Sequence, residues 1–137
     1  MKRTKKVKAL NLLCAALVLA AVGTAAVPVL AGDHQFDYKF CFDYGNTEAT
    51  TTEFKDSRHA VTMTCTGSDN LSSYNYTAYV YNVNGGNTSG IILSVGKTAI
   101  FYSAADFKDN GVYIKGYLNG DDVDTFWGTW NPDDPRY

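Results

Sequence analysis

From Phe36 the chain alternates strictly between apolar and polar residues. The run FDYKFCFDY puts Phe36, Tyr38, Phe40, Phe42 and Tyr44 on one face and Asp37, Lys39, Cys41 and Asp43 on the other. A period of two is the period of a strand, so the run predicts a half-buried strand with its aromatics turned inward. Alternation returns at 59–66, with Val61, Met63 and Cys65 inward against Thr62, Thr64 and Thr66. A third strand is predicted over 74–83. Its two faces both carry aromatics, Tyr74 and Tyr76 against Tyr79 and Tyr81, which predicts a strand covered on both sides. Short strands follow at 91–95 and 98–103, then 112–118 and 124–130.

Between these runs lie turn formers: Gly67-Ser68-Asp69-Asn70, Asn84-Gly85-Gly86-Asn87 and Asn119-Gly120-Asp121-Asp122. Residues 47–59 are polar and Thr-rich and read as a long loop or a weak edge strand. Only 104–110 has mild helical character, and Asn131-Pro132-Asp133-Asp134-Pro135 is expected to end the last strand. Closely spaced strands without an amphipathic helix predict an all-β fold, a single antiparallel β-sandwich or barrel-like domain over 32–137.

The first 31 residues have a different pattern. Lys2, Arg3, Lys5, Lys6 and Lys8 precede a run from Ala9 to Ala31 that holds no charge and is dominated by Ala, Leu and Val. Pro28 breaks the helix, and Val29-Leu30-Ala31 offers the small residues a signal peptidase accepts. The segment reads as a signal peptide cut between Ala31 and Gly32, with an uncleaved membrane anchor as the alternative. Cleaved or not, the five cations stay inside and the domain faces out. Cys14 does not make a lipidation site, because Asn11-Leu12-Leu13 before it is too bulky.

The leader changes the charge picture. All 14 acids follow Ala31, but only seven of the 12 cations do, so the exported part carries a formal −7 against −2 for the whole chain. A domain of that sign repels phosphate backbones, so nucleic acid is not an expected partner. The membrane is reached only through an uncleaved leader.

Two cysteines remain after cleavage, in a compartment that permits disulfides, and a Cys41–Cys65 bridge is expected. It would close about two dozen residues and contribute on the order of 3 kcal/mol. One tension stands against it: Cys41 lies on the polar face of its strand and Cys65 on an apolar one. The acids Asp121, Asp122 and Asp124, with Asp133 and Asp134 nearby, lack the alternating calcium-loop pattern and read as a solvated acidic turn. His34 and His59 are too few and too separated for zinc. No G-x-S-x-G or other nucleophile–base arrangement is present, so neither a catalytic set nor a cofactor is expected.

The aromatics say more. Spaced by three on a strand, Trp127 and Trp130 point to opposite faces. Trp130 joins Phe126 on the apolar side; Trp127, flanked by Thr125 and Thr129, points outward. With Asp121, Asp122 and Asp124 beside it, an exposed Trp127 would suit a sugar or a cationic peptide.

Several short patterns run along the exported part: Tyr44-Gly45-Asn46, Val61-Thr62-Met63-Thr64, Thr77-Ala78, Tyr102-Ser103-Ala104 and Gly128-Thr129-Trp130 before an acidic tail. Together they resemble a family of small secreted proteins of Gram-positive bacteria whose all-β domain has no assigned function. The resemblance implies export and an all-β fold and brings no catalytic residues; Cys41 and Cys65 are not part of it. The expected function is a secreted, non-catalytic binding or interaction protein for an extracellular protein, peptide or glycan. A bacteriocin-like antagonist is the first alternative and a small extracellular hydrolase the second.

Overall fold

The computed structural model describes residues 34–70, 74–120 and 123–137. The leader, its cleavage site, and the turn residues Asp121 and Asp122 lie outside these. The described chain forms β1 (Phe36–Phe42), β2 (Thr47–Ala49), β3 (Glu53–Lys55), β4 (Ala60–Ser68), β5 (Tyr76–Asn82), β6 (Ile91–Leu93), β7 (Thr98–Phe101), β8 (Asn110–Leu118) and β9 (Asp124–Asp134), with a 3₁₀ helix over Tyr102–Phe107. All pairings are antiparallel. One sheet runs β1-β9-β4-β7 and the other β2-β8-β5-β6, with β3 following β2 along β8. The two open sheets pack face to face, so the fold is a sandwich and not a closed barrel. The polar stretch 47–59 supplies the edge strands β2 and β3, and the mild helical signal becomes the 3₁₀ turn.

Alternation builds the core. Phe40, Phe42 and Phe126 of the first sheet meet Tyr76 of the second, with ring centroids 5.7, 5.8 and 4.9 Å from Tyr76. Such tilted and edge-on pairs contribute about 0.5–1.5 kcal/mol each beyond the area they bury. The Tyr76 hydroxyl lies 2.6 Å from that of Tyr38, so each phenol has its partner inside the core. Burial, more than any neighbour, pushes both phenols far above the usual tyrosine range.

The expected disulfide is not formed. β9 lies between the strands that carry the two cysteines: Cys41 pairs with Thr125 on one side of it and Cys65 with Gly128 on the other. Strands two apart are separated by about 10 Å, beyond the roughly 7 Å reach of a bridge. The faces differ too. Cys65 is in the core, where its thiol sits against the Gly67 carbonyl, while Cys41 belongs to the opposite side of the sheet. The denatured chain, without reductant, should therefore release both thiols to alkylation, as intact mass would show; a pair that needs reductant first would contradict this arrangement.

Two further expectations are corrected. β9 does not end before Pro132 but runs on to Asp134, and Asn131 through Asp134 are buried. Pro132 is tolerated in a central strand because the β4–β9 register shifts there: Thr62 pairs with Asn131 and Ala60 with Asp134, leaving two β9 residues opposite Val61. A bulge needs no ladder N–H from the proline. Consequently Asp133 and Asp134 are not solvated. Lys55 of β3 and Asp133 are each fully buried and meet at 2.8 Å, which ties the edge of the second sheet to the last strand of the first.

Candidate functional site

Threonine dominates the outward-facing positions of β4 and β9, with Ile100 of β7 opposite Thr62 and with Asp37, Lys39 and Cys41 on β1. β4 contributes Thr62, Thr64 and Thr66, β7 Thr98, and β9 Thr125, Trp127 and Thr129. Register sets them side by side: Thr64 pairs with Thr98 across one boundary and with Thr129 across the other, and Thr129 pairs in turn with Asp37 of β1. β-Branched threonines suit a pleated strand and leave a row of hydroxyls on its wet side. Several are already oriented. The Thr64 and Thr98 hydroxyls share a 2.8 Å bond, and the Gln35 amide donates to Thr129 at 2.6 Å.

Of these, Thr62, Thr64, Thr66 and Thr129 line, with Gln35, an open trough of about 570 Å³ that Asn131, Pro135 and Arg136 also border. There Arg136 forks onto Asp134, Nε to Oδ1 at 2.8 Å and Nη2 to Oδ2 at 2.6 Å, while the Thr62 hydroxyl donates to the same Oδ2 at 2.8 Å. The Arg136 hydrogen bonds lead in holding the Asp134 carboxyl down to about 2. Asp134 is therefore ionised and paired, and being buried it fixes the Arg136 guanidinium at the border of the trough.

Trp127 extends the same face of β9 two residues from Thr129, opposite Gly67 and Lys39. Its ring rests against Gly67, where even a Cβ would come within 2.5 Å of the indole carbons. The ring is thus seated on backbone and still 39% exposed. A fixed aromatic ring with a wet face is a stacking surface that loses little side-chain freedom on binding.

The expected acidic border is not assembled around it. Asp124 shares its orientation with Phe126 and is only 2% exposed. Its Oδ1 accepts the N–H groups of Thr125 at 2.7 Å and Asn70 at 3.3 Å, so it pins the 68–70 turn to the start of β9. Asp121 and Asp122 lie outside the described residues. Trp130 is in the core as its spacing implied, 5.7 Å from the Phe36 ring.

Two features of the surface have no clear signal along the sequence. Thr62, Thr64 and Thr66 were visible as the polar half of an alternation, but only the register shows that β7 and β9 align their own threonines beside them. The outer side of β5 is not covered either. Tyr79 and Tyr81 face solvent, half-buried mainly against Tyr113 and Tyr117 of β8. The chain as a whole matches no model of a known protein family, no curated protein and no solved structure.

Proposed function

We propose that this chain is an exported, non-catalytic binding protein that holds an uncharged, hydroxyl-rich polymer, a glycan strand, along the outer face of its first sheet. The observation that carries this reading is the seated, exposed indole of Trp127 beside the threonine trough. A pyranose offers an apolar C–H face to an indole and a rim of hydroxyls to threonine, Gln35 and Asn131. An open trough suits a length of chain better than a small, enclosed ligand. The formal −7 of the exported part disfavours anionic polymers. With Asp124 turned inward, a cationic peptide loses one of the carboxylates that would have favoured it. Export rests on the charged, then apolar, leader and on the resemblance to small secreted proteins.

Retention on insoluble cellulose, chitin and peptidoglycan stripped of its anionic polymers tests this directly. At least one of them should retain the protein, and Trp127→Ala should weaken that retention by about 2 kcal/mol, roughly 30-fold. The same substitution should change folding stability by less than about 1 kcal/mol, since the ring is at the surface. Retention on none of the three, or retention indifferent to Trp127, would remove this assignment.

A further inference from the structure

The outer face of the second sheet has a composition of its own. Outward positions on β5 are Thr77, Tyr79 and Tyr81; on β8 they are Tyr113, Lys115 and Tyr117. The tyrosines are locked to one another. Tyr81 and Tyr113 stack at 5.5 Å and 15°, Tyr79 and Tyr117 meet edge to face at 5.5 Å, and the Tyr81 and Tyr117 hydroxyls lie 3.3 Å apart. Tyr79 also lies across Gly90, where a Cβ would come within 2.6 Å of its ring. Between Tyr79, Tyr81 and Tyr117 is a depression of about 350 Å³, floored by Thr77 and Asn119. That volume falls at the small end of the range for ligand pockets.

We infer that this depression is a second binding site, independent of Trp127, that takes a sugar ring of a neutral glycan. Charge is the first reason. Among the described outward positions of β5, β6 and β8, Lys115 is the only charged side chain, and its ammonium sits over the Tyr81 ring at 5.2 Å. On a domain with twice as many acids as cations after Ala31, this face is close to neutral, so it favours a ligand of neither sign.

Unspent hydrogen bonding is the second reason. The Asn119 carbonyl accepts from Thr77 at 3.0 Å and its amide donates to Asn75 at 2.6 Å. The carbonyl can accept one further bond and the amide can donate one, and the phenol hydroxyls keep capacity as well. Aromatic walls over an amide-and-hydroxyl floor match the two-sided chemistry of a pyranose. Preorganisation is the third: rings held by each other and by Gly90 have little freedom left to lose on binding. The site faces away from the threonine trough, on the opposite side of the sandwich, so one domain could engage two glycan segments at once.

The test uses the exported domain with tyrosine ring signals followed by NMR, titrated with soluble hexamers of β-1,4-glucose, β-1,4-N-acetylglucosamine and α-1,4-glucose. At least one of them, at millimolar concentration, should shift the Tyr79 and Tyr117 rings. Tyr79→Ala and Asn119→Ala should each weaken that response about tenfold or more, while Trp127→Ala leaves it intact. Asn119 is exposed, so its variant keeps the test valid even if Tyr79→Ala disturbs folding. Rings that ignore all three sugars, or that respond equally in the Asn119 variant, overturn the inference. Ring shifts that depend on protein concentration alone, with a doubled sedimenting mass, would assign this face to a second copy of the chain and overturn it too. Because Trp127 is untouched in these variants, failure here is distinguishable from failure of the trough.

Discussion

Asp133→Ala should cost about 3–5 kcal/mol, a large part of the 5–15 kcal/mol that holds a domain of this size together. The Lys55 ammonium is fully buried and makes three bonds, to Asp133 Oδ1 and Pro132 O at 2.8 Å and to His59 O at 2.5 Å. Removing the carboxylate leaves that charge inside with only carbonyls around it. It also strips the acceptor from the Asp56 N–H at 2.8 Å, the Ser57 N–H at 3.1 Å and the Ser57 hydroxyl. Urea unfolding should show a lower midpoint with little change in slope. Removing both charges at once, as Lys55→Met with Asp133→Leu, should recover only the part of the loss due to the stranded ammonium, because the Asp56 and Ser57 donors still lack their acceptor. If Asp133→Ala alone were nearly neutral, β3 would not be anchored through this pair.

The same carboxylates set an acid limit. Burial alone would raise Asp133, but the bonds from Lys55, Ser57 and the Asp56 N–H outweigh it and hold its carboxyl below the ordinary value. Asp134 is held down to about 2, chiefly by Arg136. A carboxyl with a folded value below its unfolded one, about 3.9, binds fewer protons when folded. Its contribution is therefore fully present above about pH 5 and drains away as pH falls through the unfolded value toward the folded one. Stability should decline from about pH 4 downward. Asp134→Asn should flatten the decline between about pH 4 and pH 2, where the unfolded carboxyl is protonated and the folded one is not, while leaving the profile above pH 5 unchanged in shape.

Much of the sandwich could be read from period-two alternation, because a buried face imposes that pattern on any strand it recruits. Phe40, Met63, Ile114 and Phe126 were all assignable to the core that way, and Trp127 and Trp130 to opposite faces. What alternation does not carry is which strand lies beside which. Cys41 and Cys65 look like a pair along the sequence and are parted by β9 in space. Asp124, Asp133 and Asp134 look like one acidic surface, yet each is buried by a different partner: a turn, a lysine from β3, and the neighbouring Arg136. Lys55 gave no signal at all, since a lone lysine in a polar stretch reads as solvated. The tyrosines of β5 misled in the other direction. Aromatics on both faces suggested a covered strand, whereas cross-strand ring contacts let Tyr79 and Tyr81 remain at the surface. Side-chain period reports burial on one axis; the site depends on register across the other.

Trp130→Ala should destabilise the domain by about 3–5 kcal/mol, the usual cost of emptying a large aromatic site in a core. The indole is 1% exposed, pairs across β9 with Phe36 on one side and Met63 on the other, and packs on the Phe36 ring. Its Nε1–H has no acceptor among the described residues, which carries a penalty of about 1–3 kcal/mol. Trp130→Phe should therefore cost clearly less than Trp130→Ala, since it keeps a ring in the core and removes the unpartnered donor. Trp127→Ala, by contrast, should leave thermal unfolding nearly where it was. Measuring the three variants side by side separates the roles of the two faces without any ligand in hand. Equal losses for Trp127→Ala and Trp130→Ala would mean that both indoles hold the fold together, and the stacking role of Trp127 would then have to be abandoned.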